Sequence, residues 1–579
     1  MWICSIAIGL ALALPQAAQD GAERSAREVS VLTHAELQKA LTEIEKAHGQ
    51  LARLHNLGSS RGGRSLDALR ITAVPDSKQA PALLLIANLE GPRVFESGVA
   101  LHHAQALTAG YATDERIRAL LDSTVVWILP RANPDAAEGH FDSPGSETWH
   151  AASGVDNDRD ARLGEDGPLD VNRDGLLTRM RVLDPDGVWM QDPTDGRAMV
   201  KADRNKGQVG RWKLYDESRD QDGDGQYGED PKHDTRMDRN FPAGWEEHAE
   251  HAGLYPTSEP EVLALCEFVM AQKNLALVVS YDGLDNLVEA PKTVADRAPA
   301  VKRVPQPGVL ESDGKLLAEL GERYRKATEN KSKGSGENKG SFSLWCYDHR
   351  GLFTLDHTLW NMPLEAPKPE ADAEESAPEG EAKESKDKPA PKSESDAKPS
   401  EEAKRLTWID GSGEDWRFID WSAFEHPDLG PVEIGGMAPY ALFIPPADEW
   451  NSLAEKDFDW VLGLGDLLPR MRIAECSKEL LGEGLYRVTA VVQNDAFLPL
   501  LSRSGQRTRT TRPARVRIVL PEGAELLGGS LQQLLSDLEG SGGRAEFSWL
   551  VQASDRMQLQ VSVDSDHAGH MVQSAEKVQ

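Results

Sequence analysis

The sequence predicts an α/β domain with a mixed, largely parallel sheet flanked by helices, followed by an all-β sandwich. Two observations carry this. Up to about residue 445, short wholly apolar runs alternate with stretches of helical periodicity, the signature of buried parallel strands joined by helices. Beyond it, apolar residues recur at every second position between Gly-, Pro- and Asp-rich turns, as antiparallel sheets with one buried face require. A chain of 579 residues, 39% of them hydrophobic, is long enough and apolar enough for more than one core.

In chain order, Leu37, Leu41, Ile44, Leu51 and Leu54 have helical spacing and predict a helix over 37–57. Pro81-Ala-Leu-Leu-Leu-Ile-Ala reads as a buried strand, residues 99–109 as a helix, and Thr124-Val-Val-Trp-Ile-Leu-Pro as a second buried strand. A helix over 259–272 opens at Ser258, and Leu275-Ala-Leu-Val-Val-Ser follows as a third strand. In the last part, Tyr486-Arg-Val-Thr-Ala-Val-Val, Ala514-Arg-Val-Arg-Ile-Val-Leu, Ala545-Glu-Phe-Ser-Trp-Leu-Val and Met557-Gln-Leu-Gln-Val-Ser-Val alternate with period two.

Composition narrows the function. With 64 Lys+Arg against 95 Asp+Glu the formal charge is −31, which excludes a nucleic-acid partner because nothing balances a phosphate backbone. The one long apolar run, 3–15, is too short to span a bilayer, so no transmembrane segment is expected. It reads instead as part of a signal peptide over 1–18, which implies a secreted or periplasmic protein. Beyond Cys4 in that run, Cys266, Cys346 and Cys476 show neither an even count nor metal-ligand spacing, and read as buried small hydrophobes. Residues 365–404 contain no aliphatic larger than Ala and no aromatic, and thirteen acids face seven lysines, the composition of a disordered insertion.

Several landmarks, taken together and in order, resemble the zinc carboxypeptidases of the carboxypeptidase A type. They are Gly58-Ser-Ser-Arg-Gly-Gly-Arg-Ser-Leu, Asn133-Pro-Asp after a strand, Asp238-Arg-Asn-Phe-Pro, Ser258-Glu-Pro-Glu at a helix start, and Trp345-Cys-Tyr-Asp-His-Arg-Gly with Thr358-Leu-Trp. The resemblance spans about residues 35–440 and implies that family's α/β fold. It also implies a zinc ion on three protein ligands, with a Glu to take a proton from the metal-bound water.

At those positions this chain departs from the family. Where the family reads Gly-x-His-Gly-x-Glu, the chain reads Asn88-Leu-Glu-Gly-Pro-Arg, which puts Glu90 and Arg93 at the first two ligand positions. The third position falls on Tyr281 in Ser280-Tyr-Asp-Gly, and the general-base position on Thr358. A guanidinium cannot coordinate a metal and would repel one. His102, His103, His349, His357 and Asp356 are the side chains available to rebuild a zinc site. An interior ion pair of Arg93 with Glu90 in place of zinc is the expected arrangement. Glu90, Arg93, Tyr281 and Thr358 are expected to converge at the strand ends. The resemblance further implies a substrate-binding set of Arg239, Asn240 and Asp238, in which Arg239 stands at the arginine of the family's Asn-Arg pair that grips a peptide's terminal carboxylate and Asp238 replaces its Asn, and that Arg181 matches the arginine that polarises the scissile carbonyl.

The stretch 156–230 is an acidic insertion. Asp156-x-Asp158-x-Asp160, Asp170-x-Asn172-x-Asp174-Gly and Asp220-x-Asp222-x-Asp224-Gly set oxygens at alternate positions, as loops that wrap calcium do. Their twelfth positions are Gly167, Arg181 and Pro231, so these are not EF-hands, though Asp166, Glu229 or Asp230 could close shorter loops. The role expected for such a calcium is structural.

The organisation expected is thus a signal peptide over 1–18, a carboxypeptidase-like α/β domain over 27–445 and a β-sandwich over 446–579. The expected function is an inactive pseudopeptidase that binds peptide C-termini or a partner protein, without zinc and with calcium. Two other readings stand beside it: an active metallocarboxypeptidase with unconventional ligands, and a calcium-stabilised scaffold.

Overall fold

The computed structural model describes residues 29–149, 151–153, 167–221, 223, 225, 227–228, 235–296, 308–334, 336, 338–365 and 398–578. The expected signal peptide and Asp156, Asp158, Asp160, Asp222 and Asp224 lie outside them.

A six-stranded sheet organises the α/β domain, in the order Ala52–Ser59, Ser65–Ile71, Val125–Leu129, Ala82–Ala87, Leu275–Tyr281, Phe353–His357. Its first two pairings are antiparallel and the remaining three parallel, giving the mixed, largely parallel sheet. The strand Ala82–Ala87 is buried at every position because it is covered on both faces. Leu83, Leu85 and Ala87 enter one core with the helix Val94–Gly110, while Ala82, Leu84 and Ile86 enter another with the helix Pro260–Ala271. The helix expected over 37–57 ends at Ala47, where the chain turns, and Leu54 lies on the edge strand Ala52–Ser59. There its spacing reflects packing of that strand under the helix rather than continuation of it.

The resembling motifs meet in space. The Asp135 carboxylate of Asn133-Pro-Asp accepts from Ser60 Oγ at 2.8 Å, the Gly62 N–H at 2.7 Å and Arg64 Nη1 at 2.8 Å. Arg61 reaches Glu259 at 3.0 Å at the start of Pro260–Ala271. The Gly58 stretch is therefore tied both to Asn133-Pro-Asp and to Ser258-Glu-Pro-Glu.

Within the acidic insertion, Arg179–Leu183, Trp189–Gln191, Met199–Lys201 and Trp212–Asp216 join the hairpin Phe418–His426 and Gly430–Met437 in a second six-stranded, antiparallel sheet. Two further expectations are corrected. The disordered composition predicted to reach 404 gives way earlier, since Ser400 caps a helix Glu401–Ser412 that buries Leu406 and Ile409. Finally, the helix Trp450–Leu464, assigned above to the sandwich, packs Trp460, Val461 and Leu464 into the α/β core. The sandwich strands begin at Met471.

Two sheets, one led by Met471–Gly482, Leu485–Asn494 and Gly543–Gln552, the other by Ala514–Val519 and Gln560–Ser565, share one core containing Val488, Trp549, Val516 and Val561. No helix among the described residues is long and apolar enough to cross a membrane.

Candidate functional site

The parallel strands deliver their carboxyl ends to one cleft. After Ala82–Ala87 the chain turns at Asn88, which adopts a left-handed φ of 59° and whose side-chain amide donates to the Glu90 and Gly91 carbonyls at 3.0 Å each. At Gly91 a side chain would lie 2.0 Å from the Thr148 carbonyl oxygen, so only glycine lets the two loops touch. This turn presents Glu90 and Arg93 at the start of the helix Val94–Gly110.

Arg93 is 1% exposed and fully engaged. Its Nε donates to Glu90 Oε2 at 2.9 Å, Nη1 to Glu96 Oε1 at 3.3 Å and Nη2 to Asn361 Oδ1 at 3.2 Å, and its plane stands 5.1 Å from the centre of the Phe443 ring. Burial works against the charge, but Glu90 and Glu96 outweigh it and raise the Arg93 pKa. Burial pushes the Glu96 carboxyl up, with Arg93 opposing. The residues that would hold zinc do not suit it: a permanent cation occupies the second position and has already claimed the carboxylate at the first. Among the described residues no group of three His, Cys, Asp or Glu side chains is disposed to hold a metal.

The third expected ligand position is corrected by one residue. In the register, Ala87, Tyr281 and His357 stand side by side, and Tyr281 points into the core beneath the helix Val94–Gly110. Its hydroxyl donates to Asp457 Oδ2 at 2.6 Å, on the sheet face opposite the cleft. Successive side chains alternate faces, so Asp282 turns the other way, toward Glu90 and Arg93. Burial, then Glu90, push its carboxyl pKa well up. Thr358 is beside it, donating its hydroxyl to the Asp282 carbonyl at 2.6 Å. Glu90, Arg93 and Thr358 thus gather at the strand ends together with Asp282, and Tyr281 does not.

His102, His103 and His357 are engaged away from the cleft. His103 and His357 place Nε2 at 2.9 and 3.0 Å from the two oxygens of the same Asp457 carboxylate, and His102 packs with Phe458. Asp356 is held by Asn286 Nδ2 at 2.9 Å and by the Ser343 hydroxyl; burial raises its pKa to about 6.

Beside Glu90 opens a cavity of about 200 Å³, lined among others by Leu89, Trp149, Arg236, Asp238 and Arg239. The turn Met237–Arg239 supplies its basic wall. Asp238 accepts the Phe342 N–H at 2.9 Å, and burial, with Asp282 and Glu90, pushes its carboxyl well toward the neutral form. Arg236, absent from the sequence expectations, stacks 4.3 Å from the Trp149 ring centre. Nothing local in the sequence distinguishes it from other surface arginines; its position follows from the loop carrying Trp149.

Two expected substrate contacts lie elsewhere. Asn240 is fully buried, its amide donating to the Ala252 and Tyr255 carbonyls and Ser258 Oγ at 2.8 to 3.0 Å, and its carbonyl accepting the Glu259 N–H at 3.1 Å. It holds the cleft loop rather than facing a ligand. Arg181 lies on the second sheet, ion-paired to its cross-strand neighbour Glu433 at 2.6 Å and between Trp212 and Trp421, at 5.0 and 4.4 Å from their ring centres.

The described half of the acidic loops is self-engaged. Asp170 accepts from the Asp174 and Gly175 N–H groups, and Asp220 from those of Gly223 and Gly225. Buried Glu217 accepts N–H groups of Val171 and Thr178 at 2.9 and 3.1 Å.

A family model described as zinc carboxypeptidase matches residues 37–167 and 180–364, more than half of the chain, and a domain of unknown function matches 470–576. A zinc carboxypeptidase of Saccharothrix mutabilis subsp. capreolus is 30% identical over 116 residues, covering 19% of this chain and 27% of that protein. Carboxypeptidase D of Homo sapiens is 32% identical over 159 residues, covering 23% and 12% respectively. The chain therefore spans about a quarter or less of the length of these relatives. Bovine thrombin-activatable fibrinolysis inhibitor, solved with tick carboxypeptidase inhibitor, aligns over 75% of this chain and 96% of its own with 12% identity and a TM-score of 0.38.

Proposed function

We propose that this protein, which belongs to the zinc carboxypeptidase family, is an exported pseudopeptidase that binds peptide C-termini without hydrolysing them. The observation that carries this reading is the Arg93 ion pair: Glu90, Glu96 and Asn361 converge on a buried guanidinium where the family's resemblance calls for a dication. Thr358, at the base position, donates its hydroxyl to a backbone carbonyl and offers no carboxylate of its own to activate water. Arg239, on the cavity wall, has the planar fork that takes a carboxylate with two hydrogen bonds.

Purified protein assayed on C-terminally unblocked peptides is expected to show no release of the terminal residue, with or without added zinc, and no stoichiometric zinc by metal analysis. Turnover that a chelator abolishes and zinc restores would defeat the reading in favour of an active metallocarboxypeptidase.

A second reading concerns calcium. The Asp170 and Asp220 loops lie side by side, joined by the Leu169 N–H to the Glu217 carbonyl at 2.8 Å and by Gln221 Nε2 to the Gly167 carbonyl at 3.3 Å. Their carboxylates repel one another, and we propose that calcium stabilises the pair. At calcium 100-fold above its Kd the folded state would gain about 2.7 kcal/mol. Melting temperature should then fall when chelator replaces calcium, and coincident melting curves would remove the proposal.

A further inference from the structure

Two arginines, Arg236 and Arg239, line the cavity beside Glu90 and Asp238. Arg236 and Arg239 are the cap and last residue of one 3₁₀ turn, closed by the Arg239 N–H to the Arg236 carbonyl at 3.0 Å. Both side chains line the cavity. Between them Met237 packs into the core and Asp238 turns inward to the Phe342 N–H.

Arg236 is held, yet its charge is not spent. Trp149 is oriented by its Nε1 donating to Glu147 at 2.8 Å, and the Arg236 guanidinium lies on its face at 4.3 Å. Stacking occupies the plane of a guanidinium and leaves its edge donors free. Among the described residues no carboxylate pairs with Arg236. Burial lowers the Arg236 pKa while Glu90, Asp238 and Asp282 favour its charge, and of these Glu90 is already paired with Arg93. The volume of about 200 Å³ is below the roughly 300–1,000 Å³ of sites for larger ligands, and suits a single terminal residue.

Resting on the reading of this cleft as a peptide-end site, we propose that it selects peptides ending in Asp or Glu, with Arg239 taking the α-carboxylate and Arg236 the side-chain carboxylate. The test uses full-length protein and one peptide sequence ending in Glu, in Gln, or in Glu with its α-carboxylate amidated, with binding followed by calorimetry. The Glu peptide should bind about ten-fold or more tighter than the Gln peptide, the scale of one charge-assisted contact. Arg236→Gln should bring the Glu peptide to the affinity of the Gln peptide and leave the latter unchanged. Arg236→Lys, which keeps the charge, should retain part of the preference. Arg239→Gln should weaken both peptides.

Equal binding of the Glu and Gln peptides to the wild type, with amidation still abolishing binding, would overturn this inference and leave the peptide-end reading intact. Amidation without effect would overturn the peptide-end reading and this inference with it. The wild-type peptide series decides both points even if a variant fails to fold.

Discussion

Arg93→Ala is expected to destabilise the protein by about 3–5 kcal/mol, read as a lowered denaturant midpoint. Truncation removes the one cation that Glu90 and Glu96 share, and leaves Glu96, wholly buried, to be neutralised at a desolvation cost. The triple replacement Arg93→Met, Glu90→Gln, Glu96→Gln removes charge and counter-charge together and should fold with far smaller loss, because a buried ion pair is worth little net once its own desolvation is counted. A single variant as stable as the wild type would mean that Arg93 is not the counter-ion of Glu90 and Glu96. The same substitution also separates filler from function. If Arg93 only neutralises the cleft, the triple variant should bind peptide ends as the wild type does.

Asp457→Ala should be comparably damaging, on the opposite face of the sheet. One carboxylate there accepts from Tyr281 at 2.6 Å, His103 at 2.9 Å and His357 at 3.0 Å. An ionised carboxylate only accepts, so both Nε2 atoms carry protons, and truncation strands three donors in a dry core at about 1–3 kcal/mol each before relaxation. Burial opposes the Asp457 charge, but the hydrogen bonds from His103 and His357 outweigh it and hold the carboxyl well below the usual Asp range. A depressed carboxyl pKa contributes stability above the unfolded value of about 3.9, lost as pH falls through the folded value. The stability gap between wild type and Asp457→Asn should therefore be widest near neutrality and narrow as pH falls below the unfolded value of about 3.9. A gap that does not change between pH 7 and pH 3 would assign the effect to packing alone.

Much of the fold was legible because its signals are local. Wholly apolar runs marked Ala82–Ala87, Val125–Leu129 and Leu275–Tyr281, and period-two alternation marked the sandwich strands. The second sheet was not legible, since its strands are short, half-exposed and assembled from segments more than two hundred residues apart. The helix Trp450–Leu464 was assigned to the wrong unit for a related reason. Its amphipathic pattern shows that one face is buried, and not against what.

The cleft divides in the same way. Glu90 and Arg93 are three residues apart at a strand end, so the sequence by itself determined that a carboxylate and a guanidinium would meet there. The tertiary structure decided the rest. Whether Tyr281 or Asp282 faces the cleft is a matter of a single residue of strand register, and one step in a strand reverses every side chain. Asn361, Phe443 and Trp149 reach the site from remote segments, and Arg236 lines the cavity stacked on Trp149. A contact between residues far apart in the chain leaves no local periodicity, since it depends on how whole elements pack.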